Sequence, residues 1–189
     1  MDLITRHLTN IGFTKLHIEQ ILQRGLLLEL KKGQRFSESN KVCDEIGVIF
    51  NGILYGYYID TNGRKKISQF FFCPYNYLVV DYKSYSQRSI SNVTIEAIEN
   101  SKLLVFERNI INQLNEMFPE LIQIQQIMAK QLYVGNLNLI HLLQTCNALE
   151  RIKILKNNAP ELFAKVPYSY LASYLGIHRN TFNTAMKKL

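Results

Sequence analysis

The 189-residue sequence predicts an α+β protein in which an antiparallel β-roll of jelly-roll or cupin type precedes a long helix and a C-terminal helix-turn-helix. Three observations lead to this fold class. Short β-branched and aromatic runs alternate with turn residues between about positions 26 and 106. An almost uncharged helical stretch follows at 121–149. Finally, the last forty residues contain two short amphipathic helices separated by a glycine.

The composition is that of a chain able to bury a core. Hydrophobic residues make up 47% and charged residues 20% of the sequence, which excludes a disordered chain. The N-terminus lacks the apolar region of a secretory signal, and no segment reaches the roughly 18 apolar residues of a membrane span. Cys43, Cys73 and Cys146 are widely spaced, which favours buried thiols over disulfides, a zinc site or an iron–sulfur cluster. We therefore expect a cytoplasmic protein with no metal, no cofactor and no membrane partner.

The net charge of +7 is concentrated near the C-terminus. Residues 150–189 contain seven Lys or Arg and two acidic residues, whereas the first 149 residues contain 15 basic and 13 acidic ones. A local basic excess suits a polyanion, because each neutralised phosphate releases counterions. A solvated basic surface would have the same composition, so charge alone leaves both interpretations open.

Residues 1–24 are predicted to be helical. Thr14 is expected to cap the turn that begins at Lys15. The apolar positions at near-helical spacing are Leu16, Ile18, Ile21 and Leu22. The Lys31-Lys32-Gly33 sequence then ends the helical pattern.

Five strands are predicted in the β-rich region. They span residues 46–50, 53–59, 67–72, 93–98 and 102–106. Asn51-Gly52 and Asn62-Gly63 separate the first three, and Asn-Gly is the strongest short hairpin signal because both residues tolerate positive φ. Strands this short and regularly spaced predict an antiparallel roll or barrel.

The stretch 121–149 is predicted to be a helix that mediates assembly, since Lys130 is its single charged residue before Glu150. Its main apolar stripe comprises Leu121, Met128, Leu132, Leu139, Leu142 and Cys146. Two further stripes leave the helix apolar on several sides, so it needs two surfaces to pack against. One is its own β domain and the other is most simply a second copy of the chain. The alternative is a helix that threads a monomeric core.

The C-terminal residues have the pattern of a helix-turn-helix. The first helix has one apolar face, formed by Tyr170, Leu171, Tyr174 and Leu175. Gly176 is expected to end that helix, because glycine adopts the positive φ that a chain reversal requires. Ile177 is expected to fill the gap between the two helices.

The second helix is predicted to begin near Arg179, with Phe182 and Met186 facing inward. The residues left facing outward are Arg179, Asn180, Asn183, Thr184 and Lys187. Such side chains bond base edges and phosphates, and a helix of this kind can enter a major groove. Many helical pairs that do not bind DNA share this pattern.

The order of the parts and one segment together resemble the Crp/Fnr family of bacterial transcription regulators over essentially the whole chain. The segment is similar to the ER, PEL, RVP and YIASYLGI run of one branch of that family. Here it reads Glu150-Arg151, then APELFAKVP at 159–167, then YLASYLGI at 170–177. The resemblance implies a cyclic-nucleotide-binding-like sensor domain over residues 1–117, a dimerisation helix over 118–146 and a DNA-binding helix-turn-helix over 147–189.

The same resemblance implies a homodimer on a two-fold symmetric operator whose half-sites lie roughly 34 Å apart. The implied partners are double-stranded DNA and a second copy of the chain. RNA polymerase and a small-molecule effector of unknown identity are further partners that it allows.

Carried over position by position, the resemblance implies which residues contact DNA. Arg179 and Asn180 open the recognition helix and are expected to contact bases, since Arg pairs with guanine and Asn with adenine. The other expected contacts are Asn183, Thr184, Lys187, Lys188, His178, Tyr168 and Ser169. His178 stands where the family usually has Ser or Thr as N-cap, and it is expected to be neutral or engaged with phosphate. No contacts from a β wing are expected after Leu189.

The sensor region does not predict a cyclic nucleotide. Relatives that bind one carry Phe-Gly-Glu and Arg-Ser/Thr-Ala motifs around the phosphate and ribose. The corresponding stretch 73–81 has no glycine, and the arginine position falls near Asn92. The effector candidates are Arg88, Ser89, Asp81, Tyr75, Tyr77 and Tyr82. The phenylalanines at 70–72 are expected to fill the roll.

Two other functional classes remain. An enzyme on a cupin-like roll would need several histidines on barrel strands, but the histidines at positions 7, 17, 141 and 178 lie outside the predicted strands. An adapter that binds protein instead of DNA would keep the same fold, and the basic C-terminal segment argues only mildly against it. The sequence therefore favours a regulator without enzymatic activity.

Overall fold

The computed structural model describes residues 2–189, so Met1, which begins the predicted first helix and sensor domain, lies outside the described residues. The chain forms two compact units. The first combines the residues up to Tyr58 with Phe70–Ala129, and the second combines Ile59–Gln69 with Lys130–Leu189. The predicted α+β class is confirmed.

The N-terminal region, predicted to be helical over residues 1–24, contains two helices, α1 (Asp2–Asn10) and α2 (Lys15–Gln23). Gly12 separates them with a φ of +98°, a conformation that a continuing helix cannot contain. The predicted cap is confirmed, because the backbone N–H of His17 donates to Thr14 Oγ1 at 3.3 Å. Leu16, predicted to belong to the apolar face, is exposed instead.

Within residues 2–189, eight strands form the predicted roll. They are β1 (Leu26–Leu30), β2 (Arg35–Ser37), β3 (Glu45–Asn51), β4 (Leu54–Ile59), β5 (Lys65–Phe71), β6 (Leu78–Val79), β7 (Thr94–Ala97) and β8 (Ser101–Glu107). They make two four-stranded sheets in the orders β1-β8-β3-β6 and β2-β7-β4-β5. The first, second and sixth strands were not predicted individually: β2 and β6 have only three and two residues, and the leucine-rich β1 lacks the β-branched and aromatic residues typical of strands.

The hairpin predicted at Asn51-Gly52 is wrong. Strand β3 pairs with β8 and β6, whereas β4 belongs to the other sheet. Gly52 has a φ of +95°, and a Cβ there would collide with Ser101, so glycine is needed where the chain passes between sheets. The second turn, at Asn62-Gly63, does join neighbouring strands β4 and β5. An Asn-Gly pair thus specifies a chain reversal but not the strand partner.

The roll is filled from both sheets. Its fully buried side chains include Ile49, Leu54, Phe71, Ile95 and Leu103. The phenylalanines at 70–72 are all buried, as predicted. Helix α3 (Tyr82–Gln87) connects β6 to β7, and α4 (Arg108–Met117) follows β8.

The cysteines do not all follow the prediction of buried thiols. Cys43 is buried, Cys146 is half-buried and Cys73 is exposed, so the prediction is wrong for Cys73. The position of Cys73 just after strand β5 places it in a surface connection.

Five helices complete the chain: α5 (Leu121–Thr145), α6 (Ala148–Asn158), α7 (Pro160–Lys165), α8 (Tyr168–Tyr174) and α9 (Arg179–Met186). The long helix is confirmed, but it ends at Thr145, because Asn147 starts a new helix. The Asn147 side chain accepts from the N–H of Glu150, while the Glu150 carboxylate accepts from the N–H of Asn147. In the part of the chain that the structure describes, no helix is long and apolar enough to cross a membrane.

Candidate nucleic-acid interface

Helices α6 to α9 are held together by a small apolar core. Its fully buried members are Ile152, Leu162, Leu171, Leu175 and Phe182. The Phe182 ring lies 5.3 Å from the Tyr168 ring and 6.3 Å from the Phe163 ring, measured between centroids. This core fixes α9 by one side and leaves its other side open.

The turn between α8 and α9 is a Schellman motif centred on Gly176. The N–H of Ile177 donates to the carbonyl of Ala172 at 2.9 Å, and the N–H of Gly176 donates to the carbonyl of Ser173 at 3.1 Å. Gly176 has a φ of +63°, as the predicted helix end requires. A Cβ at Gly176 would meet nothing closer than 3.6 Å, so backbone conformation alone selects glycine.

Helix α9 is capped by His178. The backbone N–H of Asn180 donates to His178 Nδ1 at 3.3 Å, which is the bond that a Ser or Thr oxygen makes elsewhere. The expectation that this imidazole is neutral or engaged with phosphate stays a prediction. The ring is exposed.

The outward side of α9 carries most of the residues predicted to contact DNA. Those that are exposed are Arg179, Asn180, Thr184, Lys187 and Lys188, while Asn183 is half-buried. The Thr184 hydroxyl donates to the carbonyl of Asn180 at 3.0 Å, which leaves its lone pairs and methyl group for a ligand. The inward side differs slightly from prediction: Phe182 and Ala185 are buried, whereas Met186 is only half-buried.

Tyr168 and Ser169 lie at the start of α8. Tyr168 is 41% exposed although its ring contacts Phe182, so its hydroxyl end is free to reach solvent while its ring contributes to the core. Ser169 is half-buried. No finding tests their predicted role as phosphate anchors, which stays a prediction.

Sequence reasoning missed the role of Arg151. Its guanidinium donates to three main-chain carbonyls: Leu143 at 2.7 Å, Cys146 at 2.9 Å and Leu175 at 3.0 Å. The first two lie at the end of α5 and the third at the end of α8, so one side chain satisfies carbonyls that helix ends leave unpaired. Arg151 therefore positions the helix-turn-helix. The Glu-Arg pair in the family-like segment was the available signal.

The two units differ sharply in charge. The second unit, which includes the Arg64-Lys65-Lys66 run, contains 11 basic and 3 acidic residues, whereas the first contains 11 basic and 12 acidic ones. The whole positive excess of the chain therefore belongs to the unit that contains α9. Such a field attracts a polyanion to this unit in particular.

The six effector candidates do not converge on one site. Tyr77 is buried in the roll core, where burial raises the pKa of its phenol, while Tyr75 is exposed beside Phe72. Arg88 is exposed at the end of α3 with a φ of +51°. Among the six, all within the described residues, Tyr82 is the one that lines the cavity beneath α3.

Asp81 and Ser89 belong to an internal network around α3. Asp81 caps the helix, accepting from the N–H of Ser84 at 3.3 Å and from Ser91 Oγ at 2.6 Å. Ser84 Oγ donates in turn to the carbonyl of Ser89 at 2.6 Å. These polar groups bond to one another, which is a structural role for Asp81 that the sequence did not indicate.

No family model and no curated protein matches the sequence. Solved structures match the fold. FixK2 from Bradyrhizobium japonicum superimposes with a TM-score of 0.71 at 15% identity, covering 87% of this chain and 84% of that one. CLP from Xanthomonas campestris, described as a c-di-GMP responsive global regulator, gives 0.69 at 14% identity, covering 93% of this chain and 91% of that one.

A third match is a protein from Eubacterium rectale assigned to the Crp/Fnr family of transcriptional regulators. It gives a TM-score of 0.68 at 19% identity and covers 96% of this chain and 85% of that one. These matches extend across both the roll and the C-terminal helices. The chain therefore has the fold of the Crp/Fnr-type transcription regulators.

Proposed function

We propose that the protein is a sequence-specific DNA-binding regulator that acts as a homodimer on a two-fold symmetric operator. One observation carries the proposal: α9 is anchored by Phe182 and Ala185 while Arg179, Asn180 and Lys187 on its other side are exposed. A helix held in this way offers base-reading and phosphate-binding groups on one rigid element.

The charge of the second unit supports a strong electrostatic contribution to binding. Each phosphate contact lowers the slope of log affinity against log salt concentration by about 0.9 on duplex DNA. A dimer that uses several of these basic residues per subunit is expected to bind with a steep salt dependence. Recognition helices of the two subunits would then reach half-sites about 34 Å apart.

The dimer is supported by the exposed side of α5. Its exposed apolar residues are Ile122, Ile127, Tyr133, Val134, Leu137 and Ile140. At 3.6 residues per turn they fall within roughly 140° of the helix circumference. Tyr133 is 64% exposed in the single chain. The same arc also contains the exposed Gln126, Lys130 and His141, so the stripe is interrupted. Six exposed apolar residues on one side of a helix still favour packing against its own copy, with the Lys130 stem covering part of the stripe.

Oligomeric state can be measured separately from DNA binding. We expect sedimentation velocity to give a dimer for the wild type and a monomer for Leu137→Asp, which places a charge inside the apolar stripe. Asn136→Asp adds the same charge at the next position, exposed but outside the stripe, and should remain dimeric. Equal behaviour of the two variants would exclude α5 as the interface.

The function is tested by selection of genomic DNA fragments with the purified dimer. The expected result is a palindromic motif that binds far more tightly than random duplex. Arg179→Ala should lose preference at one base pair of each half-site, at a cost of about 1–3 kcal/mol. Arg6→Ala removes the same charge from an exposed position in the first unit and should keep the preference. A dimer that enriches no sequence would exclude the proposal and favour an adapter that binds protein.

A further inference from the structure

A cavity of about 250 Å³ lies in the first unit, between the β3–β6 side of the roll and the surrounding helices. Its floor is aliphatic and includes Val48, Val80 and Leu114. Ile124 and Met128 line it from α5, and Tyr85 lines it from α3. Leu8 of α1 and Ile21 of α2 also contribute, so five helices besides the sheet border the cavity.

The chemistry of the wall is apolar and uncharged. Among the described residues that line the cavity, none carries a formal charge. Three of its polar side chains already have partners: Gln125 Nε2 donates to Asn115 Oδ1 at 2.7 Å, both on the wall, and Ser86 Oγ donates to the carbonyl of Lys83. Burial raises the pKa of the Tyr85 phenol, which keeps that group neutral. Arg108 stacks on the Tyr85 ring at 3.9 Å, but its guanidinium is already bonded to Asp44 and to two main-chain carbonyls. An ion placed in the cavity would therefore lose its hydration for little compensation.

A second cavity in the same unit makes the contrast clear. Its volume is about 330 Å³, but its wall includes Arg35, Glu38 and Lys41. These three charges pair with one another, at 3.3 Å for Arg35–Glu38 and 2.7 Å for Lys41–Glu38. The apolar cavity has no comparable internal pairing, and its surface is the kind that gains free energy when an apolar solute covers it.

The volume sets the size of a suitable solute. An apolar cavity of about 150 Å³ holds benzene, a molecule of six carbon atoms. In proportion, the present cavity accommodates about ten non-hydrogen atoms. This is too small for a helix or a peptide segment, and it matches a bicyclic or short-chain molecule.

We propose that this cavity is a binding site for a neutral, apolar small molecule of about ten non-hydrogen atoms. The ligand contacts α3, α4 and α5 at once and excludes solvent from the aliphatic wall. Binding to the folded state alone also stabilises the first unit by mass action. The proposal does not depend on DNA binding, so either can fail without the other.

Indole, with nine non-hydrogen atoms, is a suitable probe, and indole-3-acetate is its charged counterpart. In calorimetric titrations of the full chain we expect indole to bind and indole-3-acetate to bind at least tenfold more weakly, because its carboxylate has no partner in the wall. Nuclear Overhauser effects from the indole ring to the methyl groups of Leu114, Ile124 and Met128 locate the site in the wild type. Absence of these effects, or equal binding of the two probes, would overturn the proposal.

A matched pair of variants tests the cavity itself. Ala129→Leu extends a side chain from α5 into the cavity and should weaken indole binding at least tenfold. Ala164→Leu adds the same atoms at an exposed position on α7 and should leave it unchanged. If Ala129→Leu does not fold, Ser86→Leu fills the mouth of the cavity instead. If a folded Ala129→Leu or Ser86→Leu protein bound indole with unchanged affinity, the indole would bind elsewhere and the proposal would be wrong.

Discussion

The buried polar side chains around α3 in the first unit bond to one another, whereas the polar side chains on the outer side of α9 in the second unit face solvent. Asp81, Ser84 and Ser91 form a closed set of hydrogen bonds. Arg179 and Asn180 show the opposite arrangement, because their helix is capped by His178 and their side chains stay exposed. The internal network at Asp81 has its hydrogen bonds satisfied within the protein, whereas Arg179 and Asn180 remain available to a partner.

This difference between internally bonded and exposed polar groups indicates which side chains can recognise a ligand. A polar group that already has its bonds inside the protein gains little from a new partner, since the exchange is nearly balanced. An exposed group on a rigid helix keeps its bonding capacity, and a partner has to order only the side chain because the backbone is already fixed. The comparison predicts that substitutions at α3 change stability, whereas substitutions on the outer side of α9 change recognition.

The largest effect is expected from the core that supports α9. Phe182→Ala removes a fully buried ring and should lower the free energy of unfolding of the second unit by about 3–5 kcal/mol. Urea unfolding followed by far-ultraviolet circular dichroism measures the change. Thr181→Ala, at the exposed neighbouring position, should change it by less than about 0.5 kcal/mol. A small effect at Phe182 would mean that α9 is not held by this core.

Arg151 tests whether one side chain holds the helix-turn-helix in place. Arg151→Ala leaves three carbonyls without their charged donor and should cost about 2–3 kcal/mol in urea unfolding. Arg151→Lys keeps the charge but not the fork geometry, so it should recover less than half of the loss. Lys153→Ala, two positions along α6 and exposed, is the control. If Arg151→Lys recovered the full free energy of unfolding, the positive charge and not the guanidinium geometry would account for the stabilisation.

The closed network at α3 is tested by Asp81→Ala. The substitution removes the cap of α3 and the acceptor of Ser91, so it should destabilise the first unit by about 1–3 kcal/mol. Thermal unfolding of this variant can be compared with Asn92→Ala, an exposed change in the following loop. Operator affinity of the folded Asp81→Ala protein should equal that of the wild type. If Asp81→Ala lowered operator affinity without lowering the stability of the first unit, the proposed distinction between α3 and α9 would be wrong.

The smallest expected effect is a pH dependence in the first unit. Glu45 on β3 lies directly opposite Glu107 on β8; burial and then this like charge raise the pKa of Glu45. A carboxyl with a raised pKa in the folded state costs stability as pH rises through its unfolded value. Glu45→Gln should therefore unfold at slightly higher urea than the wild type at pH 7, and the difference should vanish below about pH 4. If the stability difference between Glu45→Gln and the wild type grew as the pH was lowered, the pKa of Glu45 would be lowered in the folded state and not raised.

The amphipathic pattern of the C-terminal residues was enough to predict α8, the turn at Gly176 and the start of α9, because these features depend on neighbours within about ten residues. The same kind of signal failed at Asn51-Gly52. There the turn is real, but the partner of β3 is β8, about fifty residues later in the chain. Arg151 was missed for a similar reason, since its carbonyl partner at Leu175 is distant in sequence.

The sequence alone determined the elements whose causes are local: the basic C-terminal segment, the almost uncharged α5 and the two helices around Gly176. Tertiary structure decided which strands pair, that Asp81 is bonded internally, and that an apolar cavity lies between α3, α4 and α5. The physical reason is that helix periodicity and turn conformation are short-range properties. Strand pairing, cavity shape and the partners of a buried polar group depend on residues that only folding brings together.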